Sequence, residues 1–454
     1  MRKLFLTAAL LLGLGLAASA QVKLSDKELY NAIWAMGQMY PEGFTLDLET
    51  MRQPTEGIMV SYKETQNSFD KKSIPAVVKH ARAHDGLVGG WRDPETGRYY
   101  FDSTRCFPED SLAAALAFAR ENGQHTAYVA SKGINVKSNY EQQDCRIIFD
   151  CDMGSSTDDL FALMMLYRYM DMGRCKLLGV VVDRMGAANA DAVDIMNNYY
   201  GYPDIPVGLE RAGIKDPKVF IPYHNVAYAR SEDAVPLFKK SYAKPEDYPE
   251  GYKLYRKLLS EQPDNSVTIA SVGFVTSLSR LLQSGPDEYS ELNGVELVRK
   301  KVKNLYTMGG VFGEAVEPDY NFTQAIDFSL KFFELWPKEL DIVFSPGEVG
   351  DPLFYPDATV ISDIDWTDVH PIKWVYEYLQ CDTGQKMWDP LAVINAVEGD
   401  DLFTTSPRGW VKLTPRGETI FTEDPNGNAR YQIPGDEVWA DTVLKYIRLM
   451  SIQQ

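Results

Sequence analysis

The sequence predicts an α/β protein, a mostly parallel central sheet with helices on both faces, preceded by a small α+β module. Three observations predict it. From about Asp144 onward, nearly continuous apolar runs are each followed by a segment of helical spacing, the pattern of a parallel sheet covered on both sides. Before that point, short alternating runs and amphipathic segments follow no such order. An acidic stretch of the later part, "FDCDMGSSTDDLFAL" from Phe149 to Leu163, falls at a strand's carboxyl end, where open α/β sheets place ligands.

The first twenty residues, "MRKLFLTAALLLGLGLAASA", have the parts of a secretory signal. Arg2 and Lys3 supply the charge, Leu4 to Leu16 the apolar middle, and Ala18-Ser19-Ala20 the cleavage site, with Gln21 expected as the first mature residue. The run is shorter than the ~20 residues of a membrane span, and no later run is long enough, so no membrane anchor is expected. The expected location is secreted or periplasmic. A formal charge of -18 over 454 residues repels nucleic acid and anionic lipid and favours a small-molecule substrate. The five cysteines are irregularly spaced and define no disulfide.

Residues 21–140 read as the α+β module. "GIMVSY" alternates as a strand, and "PAVVKHARAH" and "EDSLAAALAFARENG" have helical spacing, the second ending at Gly123. "GGWRDPETGRYYF" reads as a hairpin turning at Asp93 to Gly97. His80 and His84 would share a helix face at a spacing zinc accepts, but no third ligand is near and a structural role is expected. Residues 141–454 form the second expected domain. There "CRIIFDCD", "KLLGVVVD", "SVTIASVG", "VKNLYTMGG" and "LDIVFS" read as strands separated by helices. "GWVKLT", "ETIFTED" and "ARYQIP" read as antiparallel strands before a last helix from Glu437.

The acidic stretch packs Asp150, Asp152, Asp158 and Asp159 into ten residues. Asp150 and Asp152 begin on the same strand face, while Cys151 between them points away. Thr157 or Ser156 would cap the next helix, and acids in its first turn suit the dipole. Capping leaves Asp150 and Asp152 unexplained, because dry burial of unpaired carboxylates costs several kcal/mol. A hard cation with oxygen ligands resolves this. An EF-hand fails, since Gly154 stands one place early and Phe161 occupies the place of the bidentate glutamate. A phosphatase of the haloacid dehalogenase type also begins with Asp-x-Asp, but Met153-Gly154-Ser155 replace its usual threonine, and Asp158-Asp159 have no role in it.

The stretch resembles the Asp-x-Asp-x-Gly-(x)n-Asp-Asp signature of the inosine-uridine-preferring nucleoside hydrolase family, with the longer spacing of divergent members. "ASVGFVTSLSRLL", "YTMGGVFGEAVEPDYN" and "MWDPLAVINAV" resemble further family blocks in family order, over about residues 145 to 445. The resemblance implies an enzyme that hydrolyses N-ribosidic bonds of a nucleoside or related ribosyl compound, using Ca2+. It implies Asp152, Asp159 and Asp389 as side-chain metal ligands, the Thr276 carbonyl as another, and Asp152 as general base. Asp158, Asp319 and Asn321 would bond sugar hydroxyls, and Asp150 would support the ligands from behind. Family members often form dimers or tetramers, which makes a homo-oligomer one expectation.

The departures concern the base pocket. Trp388 stands where purine-type members often carry a histidine that protonates the leaving base, and an indole would instead stack or line the pocket. The family's early asparagine has no counterpart in "VVVDRMGAANA". His224 lies near the place of another pocket histidine and is read as structural. A non-catalytic calcium- and sugar-binding relative, motivated by Trp388, is the alternative from a different class. The phosphatase is the third.

Overall fold

The computed structural model describes residues 24–94, 96–138, 144–154, 156–214, 226–313, 316–379 and 384–452. The leader over residues 1–20, Cys381 and His224 lie outside these. The chain divides into two compact units that part between residues 142 and 143.

In the first unit, six antiparallel strands take the order β1-β3-β4-β2-β5-β6. They are β1 (Phe44–Asp47), β2 (Ile58–Ser61), β3 (Leu87–Arg92), β4 (Tyr99–Phe107), β5 (Thr126–Val129) and β6 (Ile134–Lys137). Helices α1 (Asp26–Met39), α2 (Ile74–Arg82) and α3 (Leu112–Glu121) accompany them. The spacing of Leu29 and Ile33 on α1, and of Ile74, Val77, Val78 and Ala81 on α2, buries one face of each helix against Phe44, Leu46 and Phe101. The expected hairpin is β3-β4, with Trp91 opposite Tyr100. His80 and His84 stack at 4.0 Å on each other and pack against Tyr62.

The second unit is built on a ten-stranded sheet. Its parallel part comprises β7 (Arg146–Cys151), β8 (Lys176–Val182), β9 (Val207–Leu209), β10 (Val267–Ser271), β11 (Val302–Met308) and β12 (Asp341–Ser345). Outside it, β13 (Phe354–Tyr355) pairs with β14 (Gln385–Lys386). The tail adds β15 (Thr404–Thr405), β16 (Gly409–Leu413), β17 (Thr419–Glu423) and β18 (Ala429–Ile433). The order is β17-β16-β18-β12-β11-β10-β7-β8-β9 with β15 on β18. The tail departs in one respect from the expected antiparallel set, because β18 pairs with β12 in parallel and only β15, β16 and β17 run antiparallel to their neighbours.

The helices are α4 (Asp158–Asp171), α5 (Ala187–Tyr199), α6 (Gly251–Ser260), α7 (Thr276–Gln283), α8 (Gly294–Lys301), α9 (Tyr320–Gln324), α10 (Ile326–Leu335), α11 (Gly347–Gly350), α12 (Asp357–Asp363), α13 (Pro371–Leu379), α14 (Asp389–Glu398) and α15 (Glu437–Ser451). Leucines of α6, α7 and α8 pack with Phe332 and Trp336 against Ile148, Ile269, Leu305 and Ile342 of the sheet. Each such side chain contributes about 1.5–3 kcal/mol on burial. Helix α4 is buried along nearly its whole length, which explains why its sequence is apolar all round from Leu160 to Tyr167.

From β7 the chain runs outward through β8 and β9, then returns to the other flank of β7 and continues through β10, β11 and β12. The order therefore reverses between β7 and β10. Loops leaving the carboxyl ends of these two strands diverge, and the crevice between them is where such a sheet takes its ligand.

Candidate metal centre

The acids of the opening stretch stand at this reversal. Asp158 and Asp159 form the first turn of α4, where the helix dipole favours carboxylates. Asp389 opens α14, with Pro390 preset for the first turn. Carboxylate oxygens of Asp158, Asp159 and Asp389 lie within 4.8 Å of one another, and all three residues are buried. Asp158 Oδ2 accepts a hydrogen bond from the Asp389 backbone N–H at 3.3 Å, which ties the two helix starts together. Thr157 occupies the N-cap position of α4 without capping it, and its hydroxyl donates to Tyr376 at 3.1 Å. Ser156 donates to Asp158 instead. The capping expected of these residues is thus replaced by bonds to Tyr376 and to Asp158.

Asp152 lies beside this trio. Its Oδ2 accepts from Arg184 Nη2 at 3.0 Å, and its backbone carbonyl accepts from Arg184 Nε at 3.0 Å. Burial raises all four acids above the usual carboxylate range, and for Asp159 and Asp389 their neighbouring carboxylates raise them further. Asp158 is pushed up to about 6. Asp159 Oδ1 is buried with no hydrogen-bond partner. Such crowding has two remedies, protons or a cation, and an oxygen-only donor set suits a hard divalent ion.

Thr276 begins α7, one residue after Val275, whose φ of 27° is unfavourable for a β-branched side chain. The preceding Gly273 is needed for close approach, since a Cβ there would lie 2.4 Å from the Asp152 backbone nitrogen. The Thr276 hydroxyl is buried without a partner.

Asp319 and Asn321 come to the same end of the sheet. Asp319 caps α9 through Phe322 N–H at 2.9 Å, and burial pushes it up to about 6. The Asn321 amide donates to the carbonyls of Val272, at 3.0 Å, and Met308, at 3.3 Å, joining the ends of β10 and β11. Trp388 lies at the N-cap of α14, with its indole laid on Gly350 and its Nε1 donating to Asp351 at 3.2 Å. Asp150 points into the helix layer. Tyr255 donates to it at 2.8 Å and Ser271 at 3.3 Å, and its carboxyl meets that of Asp183. Burial, then Asp150, raises Asp183 well above the usual range. Sequence reasoning missed Asp183 and Arg184. The signal lay in "VVVDRMG", where two charged residues end an apolar strand beside the acidic one.

Fold and site together define an α/β enzyme with a carboxylate centre suited to a cation. The family model described as inosine-uridine preferring nucleoside hydrolase matches residues 147–440. The chain belongs to this family and is an N-glycosyl hydrolase. Among solved structures, it is similar to a purine-preferring ribonucleoside hydrolase from Gardnerella vaginalis at 17% identity, covering 67% of this chain and 99% of that one, with a TM-score of 0.50. An inosine-uridine preferring nucleoside hydrolase from Bacillus anthracis is 16% identical over 67% of this chain and 99% of its own, with a TM-score of 0.49. At 17% identity the likeness to the Gardnerella vaginalis enzyme concerns the fold. No curated protein matches. The family match leaves the phosphatase reading without support.

Proposed function

We propose that the protein is an exported, Ca2+-dependent hydrolase that releases ribose and a base from a nucleoside or related ribosyl compound. The observation that carries the metal reading is the buried Asp158-Asp159-Asp389 trio with its unpartnered Asp159 oxygen. Asp159 and Asp389 would be ligands together with Asp152 and the Thr276 carbonyl, and the geometry adds Asp158 to the candidates. When bound, the cation would grip the ribose diol and acidify a water. The leader sequence supports export.

The chain's own residues supply the rest. Asp152, with Oδ2 engaged by Arg184, would take the proton of the attacking water through Oδ1. The buried acids favour the oxocarbenium-like character that develops at the sugar as the N-glycosidic bond breaks. Asp319, at the start of α9, would accept from a sugar hydroxyl, while Asn321 holds that loop to the sheet. Trp388 commits its indole N–H to Asp351 and has no acidic proton for a leaving base. This supports substrates whose leaving group departs without a proton from that position. A reducing-sugar assay over purine, pyrimidine and modified nucleosides tests the proposal. Ribose release from at least one is expected, and no release from any, with divalent metal supplied, would refute it.

A further inference from the structure

We infer that Arg184 is a built-in cation of the centre, a positioning residue that holds Asp152 when no metal is bound and tempers the affinity of the centre for its metal. The inference rests on the metal reading above and assigns a part to a residue that reading does not use.

Arg184 follows Asp183 just after β8, whose last residue Val182 lies opposite Cys151 of the parallel β7, so its side chain reaches the adjacent end of β7. The side chain is only 5% exposed. It holds Asp152 at two points, the backbone carbonyl and Oδ2. Its guanidinium lies 5.1 Å from the Phe274 ring centroid, on the loop that also carries Gly273. A buried arginine is retained where an anion holds it, and here the anion belongs to the crowded centre. One guanidinium offsets one of the four carboxylates of Asp152, Asp158, Asp159 and Asp389. It repels a divalent ion bound to the others. A unit charge a few ångströms from a divalent ion changes its binding by about tenfold or more, even at high effective dielectric.

The test is calcium-binding calorimetry and thermal unfolding of the full-length protein and of Arg184→Gln and Arg184→Lys, all purified with calcium and then treated with chelator. Arg184→Gln is expected to bind calcium about tenfold more tightly. Its chelated form should melt well below the chelated wild type, whereas the two calcium-loaded forms should melt close together. Arg184→Lys, which keeps the charge but not the two-point grip, should restore a dissociation constant within about threefold of wild type. A merely structural ion pair would lower both melting temperatures alike and leave calcium affinity unchanged or weaker, and that result overturns the inference. So does an Arg184→Gln protein that fails to fold even with calcium throughout, because the guanidinium would then be needed whether or not metal is present. If the wild type itself binds no divalent metal, the underlying reading fails as well, which separates the two failures.

Discussion

Asp159 is buried at the first turn of α4, with Oδ1 meeting no donor and with Asp152 and Asp158 adding repulsion. Replacing it by asparagine removes a charge that the metal-free protein has to bury. Asp159→Asn should therefore raise the melting temperature of the chelated protein while abolishing calcium binding. Hydrolysis should fall on the order of a thousandfold, the several kcal/mol a metal supplies to a transition state. Calorimetry and initial rates on the same preparation check both halves. Trp388 gives a second expectation at this scale. With its N–H held by Asp351, an aryl riboside with a good leaving group should turn over about a hundredfold faster than a purine riboside. Equal kcat values for the two would place an efficient proton donor in the pocket. Asp150 and Asp152 were legible because carboxylates at the end of an apolar strand need a reason, whereas Asp389 was reached only through the resemblance of its block to the family's. Arg184 was not, because an arginine after a strand ordinarily reads as a solvated residue, and only the pairing of β7 with β8 brings it to Asp152.

The loop from β10 to α7 sets the spacing of the centre. Gly273 lets its backbone pass against Asp152, and Val275 takes a φ of 27° immediately before Thr276. Strain of this kind costs roughly 1–3 kcal/mol and persists only where the surroundings enforce it. Gly273→Ala drives a Cβ into the Asp152 backbone, and the backbone has to move. The expected outcome is a loss of roughly 1–3 kcal/mol of stability in denaturant titration, with calcium affinity reduced in parallel. Near-wild-type stability and affinity would mean that the loop does not gauge the centre. Strands such as β7, β10 and β11 and helices such as α4 and α10 could be read from the sequence, because apolar period and length agree there. The parallel pairing of β18 with β12 could not, since periodicity gives a strand's faces and not its neighbour's direction. Nor could the bonds of Thr157 and Ser156, because Tyr376 and Asp158 compete with the helix end for the same hydroxyls.

Across the whole molecule the acid cluster links stability to pH. Burial raises Asp158 and Asp319 to about 6, and it raises Asp152, Asp159 and Asp389 as well. These groups bind more protons folded than unfolded, so metal-free stability falls as pH rises from the ordinary carboxylate value through about 6 and beyond. Under the proposed function calcium would reverse the trend, since binding at Asp152, Asp158, Asp159 and Asp389 would displace their protons and tighten as pH rises. Melting curves of the chelated protein should thus shift down between pH 5 and pH 8 (roughly the span over which such raised carboxyls ionise), while calcium protection grows. A pH-independent gap between chelated and loaded forms would contradict the assignment of Asp152, Asp158, Asp159 and Asp389 to one metal-linked centre. No helix among the described residues is long and apolar enough to cross a membrane. Packing of α14 against α4 explains why Asp389 meets Asp158 and Asp159, which lie far from it in the chain. The central claim is that this meeting place holds a cation for N-riboside cleavage. Ribose release from the most reactive riboside, followed on one sample as purified, after exhaustive chelation, and after calcium is restored, tests it most directly. The account predicts release, loss and recovery; undiminished release in the chelated sample would contradict it.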